Sequence, residues 1–127
     1  MNLTLLPETM SVLKLDASQS IPKWALENRN FVSITYTKEE LSIVCEQSQV
    51  PSGDENLQTS DDWKCIKVEG PLDFSLTGIL SSLTLPLAEA KISIFAISTY
   101  DTDYLLVKSD TLAQTIKILL EQGHMFN

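Results

Sequence analysis

Apolar positions in the second half of the chain follow two rhythms. Leu76, Ile79, Leu80, Leu83 and Leu87 recur three and four residues apart, which lines one face of a helix, and Leu112, Ile116, Leu119 and Leu120 repeat the pattern further on. Residues 63–68, 92–97 and 104–107 are short β-rich runs that read as strands. Pro86 kinks or restarts the first helix near its end. Ser109 or Asp110 caps the second, and Gly123 stops it.

The order is therefore strand, helix, two hairpin strands and helix, and an optional last strand at Met125 completes the ferredoxin-like βαββαβ pattern. The first half repeats most of it. A short apolar run at residues 13–15 precedes a polar stretch, residues 22–27 allow a short helix with Pro22 at its first position, and residues 31–36 and 41–45 flank residues 37–40 as a hairpin. No second helix is evident there. Residues 47–62 turn polar, with Pro51 and Gly53, and read as a linker or surface loop.

Thr35, Tyr36 and Glu39 align without gaps with Thr99, Tyr100 and Asp103, an offset of 64 from residue 35 to residue 99, and Leu41 and Ile43 fall on Leu105 and Val107. The matching order of elements points to a duplication, with chance similarity of two short hairpins as the alternative. The expected organisation is α+β: two ferredoxin-like units in tandem, a degenerate one over residues 1–58 with the linker and a complete one over residues 59–127. Each has an antiparallel sheet with helices on one face.

Bulk composition narrows the functional classes. At 127 residues and 43% hydrophobic content the chain suffices for one compact unit or two very small ones. With 17 acidic against 9 basic residues its net charge is −8, so nucleic acid and anionic membrane surfaces would be repelled. Solubility alone accounts for the acidity. Cys45 and Cys65 are too far apart for a redox or zinc pair and read as buried thiols in a reducing compartment. The stretch MNLTLLPE lacks the basic start of a signal peptide, and no apolar run approaches the roughly 20 residues that span a bilayer. A soluble cytoplasmic protein is expected.

Catalytic chemistry has little to stand on. His124 is the one histidine, near the C-terminus and with no serine or cysteine motif around it, so it reads as a surface or terminal group. Gly70 and Gly78 do not form a nucleotide-binding loop, and two aspartates without a third carboxylate in the segment make no metal site. No enzyme activity, metal or cofactor is expected. Gly78, placed inside the first helix of the second half, reads as permitting close backbone approach. Trp24 and Trp63 read as core or interface anchors.

The chemistry concentrates in ISTYDTDYLLV, residues 97–107, where Asp101 and Asp103 sit at a hairpin tip among hydroxyls and tyrosines. In a ferredoxin-like unit this tip lies at the same end as the exit of the first strand, here GPLDFSLTG, residues 70–78. A helix beginning near residues 73–75 would offer free N–H groups to a carboxylate, while Asp103 and Asp101 would meet an ammonium or guanidinium. A free α-amino acid matches both ends. Ordinary turn and capping roles for Asp73, Asp101 and Asp103 account for the same residues, so that alternative stands beside it.

DFSLTGIL, residues 73–80, followed by PLAEAKISIFAISTYDTDYLLV, residues 86–107, resembles the ACT-domain family, in particular small bacterial tandem-ACT proteins and the related cytosolic arginine sensors called CASTOR. FVSITYTKEELSIV, residues 31–44, carries the same resemblance more weakly. The resemblance implies a regulatory module with an amino-acid ligand held between two ACT units. It implies a ligand set of Thr99, Tyr100, Thr102 and Asp103 at the hairpin, Ser93 and Ile94 from a partner unit, and the loop Asp73, Phe74, Ser75, Leu76, Thr77 and Gly78. The arginine sensors carry an acidic residue where Leu76 stands, which weakens the case for arginine. With about two units in this chain against four in the sensors, the resemblance implies a homodimer. A structural or protein-interaction module without a small-molecule ligand is the alternative.

Overall fold

The computed structural model describes residues 1–70 and 78–127. The chain packs as two compact units: Met1–Pro7 with Lys64–Asn127, and Glu8–Trp63 inserted between those segments. The boundary expected at residue 58 falls within a strand, Gln58–Val68, and residues 1–7 belong with the C-terminal part. Strand β1, Asn2–Leu15, and strand β4, Gln58–Val68, each contribute residues to both units.

In the split unit, β4 is followed by α1 (Ile79–Glu89), β5 (Ile94–Ser98), β6 (Asp103–Lys108), α2 (Leu112–Glu121) and β7 (Met125–Phe126). The strand order is β7-β1-β4-β6-β5. Ile66, Val68, Leu105 and Val107 share one face by their alternation, and they cluster with Leu3, Leu83, Leu87 and Leu119 in one buried core. Both helices therefore pack on that face. Cys65 and Leu106, of the opposite parity, are also 0% exposed, so β4 and β6 read as near-continuous apolar runs because both of their faces are buried.

The expected antiparallel pairing has one exception. β7 runs parallel to β1, with Asn2 opposite Met125 and Leu3 opposite Phe126. The reason is the N-terminal part of β1, which lies between β7 and β4. Thr4 contacts Glu69 and Pro7 contacts Lys64, so β1 runs opposite to β4. β7 then shares the direction of β1. The leucines of MNLTLLPE, which the sequence pattern does not mark as a strand, form this extra one, and Leu3 is 0% exposed.

Helix α1 begins at Ile79, with Gly78 as its N-cap at φ +74. Gly78 is thus not inside the helix, and an added Cβ would meet nothing closer than Ser81 Oγ at 3.8 Å. Left-handed backbone, rather than close approach, is what this glycine supplies. Pro86 sits within α1, where its missing N–H cannot bond the Ser82 carbonyl one turn back. His124 Nε2 lies 3.4 Å from that oxygen, and its Nδ1 lies 3.3 Å from the Met1 amino nitrogen. Far from being a surface group, His124 is 7% exposed. It occupies the position that the proline leaves unbonded.

In the inserted unit, residues 8–15 of β1 are followed by a 3-10 turn at Lys23–Leu26, β2 (Ser33–Tyr36), β3 (Leu41–Glu46), a second 3-10 turn at Gln47–Gln49 and residues 58–63 of β4. The strand order is β2-β3-β1-β4. Leu13, Leu15, Leu41, Ile43 and Cys45 form its core with Ala25, and Trp24 packs against it. The short helix expected at 22–27 is a single 3-10 turn. The linker expected at 47–62 shrinks to residues 50–57, because Gln47–Gln49 is a turn and β4 has begun by Gln58.

Candidate ligand-binding hairpin

β5 and β6 pair antiparallel from Ile94 opposite Val107 to Ser98 opposite Asp103, leaving residues 99–102 as the connection. Thr99 closes it twice: its N–H donates to the Thr102 carbonyl at 2.8 Å and its hydroxyl donates to the same oxygen at 3.2 Å. Thr102 N–H donates back to Thr99 Oγ1 at 3.3 Å. Thr102, 4% exposed, also donates its hydroxyl to the Val68 carbonyl, which docks the turn on β4. These bonds shape the turn through threonines, leaving the aspartates available for other work.

Asp103 lies on the helix-bearing face by its parity with Leu105 and Val107. Its carboxylate accepts a hydrogen bond from the Ser98 hydroxyl at 2.5 Å, which fixes its direction. Asp101 and Tyr100 are exposed, Tyr100 at 81%. A carboxylate held by one short charge-assisted bond retains acceptor capacity for an ammonium or guanidinium. The ring of Tyr100 provides an adjacent apolar surface.

Sequence reasoning does not single out Lys67. Its ammonium lies 3.2 Å from Glu69 Oε1, and Glu69 accepts the Thr4 hydroxyl at 3.2 Å through its other oxygen. The bond and charge of Glu69, then the nearby Tyr104 and Asp101, hold the Lys67 ammonium above its usual range. The hairpin therefore has a permanent cation near Asp101 as well as its own carboxylates. One signal in the sequence does point to it: Lys67 and Glu69 alternate with the core residues Ile66 and Val68 and so face away from the helices.

Of the residues expected to form the site, Thr99, Tyr100, Thr102 and Asp103 are brought together at one tip. Ser93 and Ile94 are at the other end of β5, about 13 Å along the strand at roughly 3.3 Å per residue. They do not meet the tip within one hairpin. Ile94 packs against the core and Ser93 is exposed. Gly78 caps α1, while Asp73, Phe74, Ser75, Leu76 and Thr77 lie outside the described residues. Among the described residues no group of three or more His, Cys, Asp or Glu side chains could hold a metal ion, and no helix is long and apolar enough to cross a membrane.

The β2-β3 hairpin shows how much of this is general scaffold. Tyr36 pairs with Leu41, and Thr37 N–H donates to the Glu40 carbonyl at 2.9 Å while its hydroxyl accepts from Glu40 N–H at 3.1 Å. Thr37 thus corresponds to Thr99, an offset of 62 and not the 64 read from sequence. The identical Thr-Tyr pairs that suggest 64 occupy different places: Tyr36 ends a strand, whereas Tyr100 is in the turn. At the corrected register Leu41, 0% exposed, stands where the other hairpin has Asp103.

A sheet bearing two helices on one face, with this strand order, defines an ACT-like α+β protein. The family model described as ACT domain matches residues 58–121, half of the chain, and the chain belongs to the ACT-domain family. A second model, of an N-terminal domain, matches residues 8–53. The human cytosolic arginine sensor for mTORC1 subunit 1 is 32% identical over 92% of this chain and 41% of its own length. The chain thus spans about two-fifths of that relative. An Agrobacterium tumefaciens protein of known crystal structure is 40% identical, covers 99% of this chain and 91% of its own, and superposes with a TM-score of 0.90. The regulatory subunit of aspartate kinase from Thermus thermophilus shares the fold, with TM-score 0.67 at 9% identity over 96% of this chain and 97% of its own.

Proposed function

We propose that this protein is a non-catalytic regulatory module that binds a free amino acid or a similar small zwitterion at the β5-β6 hairpin. The observation that carries the reading is the Asp103 carboxylate, aimed by Ser98 at 2.5 Å on a turn whose own hydrogen bonds are made by threonines. Asp103 receives the ammonium or guanidinium of the ligand, and Thr99, Tyr100 and Thr102 surround it. The loop of Asp73, Phe74, Ser75, Leu76, Thr77 and Gly78 takes the ligand carboxylate. The similarity to a protein named as an arginine sensor supports this class of ligand.

The strand orders support two ferredoxin-like units, one inserted in the sequence of the other and with its helices reduced to 3-10 turns. Because Ser93 and Ile94 stand far from their own hairpin tip, they serve the site of a second copy across a two-fold axis, which makes the working form a homodimer. Cys45 and Cys65, both buried and neither in a disulfide, suit a reducing cytoplasm.

A thermal-shift screen of the purified protein against the twenty amino acids tests the reading. A ligand at about 100 times its Kd adds about 2.7 kcal/mol, a rise of roughly 3 to 6 °C for a chain of this size. One amino acid raising the midpoint by that amount supports the module. A flat screen, with no ligand retained in native mass spectrometry, refutes it in favour of a protein-interaction module.

A further inference from the structure

The inserted unit has an open surface cavity of about 280 Å³, lined among others by exposed Asp54, Thr59 and Asp61 and by half-buried Gln47, Val50 and Leu57. Its walls belong wholly to residues 8–63, whereas the hairpin belongs to the other unit. No lysine or arginine is among its described lining residues, while two carboxylates are.

Several bonds fix these walls. The Ser11 hydroxyl, on a fully buried residue, donates to Asp61 Oδ1 at 2.7 Å. Asp54 Oδ1 accepts the Asn56 N–H at 2.9 Å. Gln47 is clamped by both ends of its amide, accepting from Asp62 N–H at 2.7 Å and donating to Asp62 Oδ1 at 3.0 Å. That clamp accompanies a left-handed backbone at Asp62, φ +64, which aspartate tolerates better than most residues. Val50 and Leu57 pack against the core of this unit and give the cavity an apolar side.

We infer that this cavity is a second ligand site, selective for a small organic cation with a short apolar stem, such as a diamine or an amino-guanidine. At about 30 Å³ per water the space equals roughly nine waters, room for a molecule of that size. Its two carboxylates and lack of a cation select against any ligand carrying a carboxylate of its own. The site thereby differs in class from the zwitterion site of the hairpin and does not rest on it.

Agmatine and L-arginine are the discriminating probes, because they differ only in a carboxylate. Amide chemical-shift mapping with agmatine should move Gln47, Leu57 and Thr59 in a saturable way, and arginine should act at those amides roughly tenfold more weakly or less. Asp54→Asn, on an exposed loop, and Thr59→Lys, at an exposed strand position, should each weaken agmatine about tenfold or more in calorimetric titration while leaving the spectrum of the folded protein intact. Absence of saturable shifts at these amides up to millimolar agmatine overturns the inference. So does equal binding of arginine there, or unchanged affinity in both variants.

Discussion

Asp103 and Leu41 occupy the same place in the two hairpins, and the contrast isolates what the carboxylate is for. A position that the fold fills with a 0% exposed leucine in one hairpin has no structural need of a charge in the other. Asp103→Asn should therefore leave the urea midpoint nearly unchanged while weakening ligand binding, because Asn keeps the shape and loses the charge. His124 is the converse case, a residue that acts through structure. His124→Ala should cost about 0.5 to 1.5 kcal/mol through loss of its contact with the Ser82 carbonyl. The loss should shrink in a Pro86→Ala background, where the N–H restored to the backbone can take that oxygen. A double-mutant cycle in urea reads this directly.

The buried thiol of Cys45 makes a prediction about pH. Burial, then the charge of Glu46, pushes it from 9.0 up to about 11. Between those values the unfolded chain has lost the proton and the folded chain has kept it, so this group's contribution to stability is present below about pH 9 and lost as pH rises toward 11. Comparing Cys45→Val with the parent at about pH 8 and about pH 10.5 should show a smaller decline in the variant. An equal decline would contradict the assignment.

At the scale of elements, the C-terminal half is legible in the sequence because its helices bury one face at helical period and its strands are short, β-rich apolar runs. Leu83 and Leu87 are buried at helical spacing, and Leu105 and Val107 at strand spacing. The N-terminal part of β1 is not legible, since Pro7 and Glu8 interrupt its alternation within a strand of 14 residues. Lys67 is nearly as hidden, because its alternation with Ile66 and Val68 shows its face but no motif names its partners. Only β4 beside β6 reveals its neighbours.

The start of α1 is also displaced from its sequence signal. Helical spacing reads straight through Gly78, but Gly78 is the N-cap at positive φ and α1 starts at Ile79. Gly78→Ala should cost about 1 to 2 kcal/mol from backbone strain alone, since the space for a Cβ is open. Denaturant titration tests it. A neutral result would mean that the left-handed cap is not required.

For the whole molecule, the correspondence between the hairpins is legible in its region and misleading in its register. Identical Thr-Tyr pairs suggest an offset of 64, whereas the hydrogen bonds of the two turns set 62. The corrected register puts Leu41, not Glu39, in the place of Asp103 and moves Glu39 onto Asp101, so the account predicts one hairpin-bound ligand per chain. A chain folded from an insertion within a split unit also hides its organisation from any linear cut, because residues 1–7 and 64–127 complete each other's core.

The most direct test of the central claim is calorimetric titration of the amino acid identified by thermal shift into the parent protein and Asp103→Asn. The account predicts saturable binding with one ligand per chain in the parent and an affinity loss of roughly tenfold or more in the variant. Unchanged affinity in a folded Asp103→Asn protein would contradict it and place the ligand elsewhere.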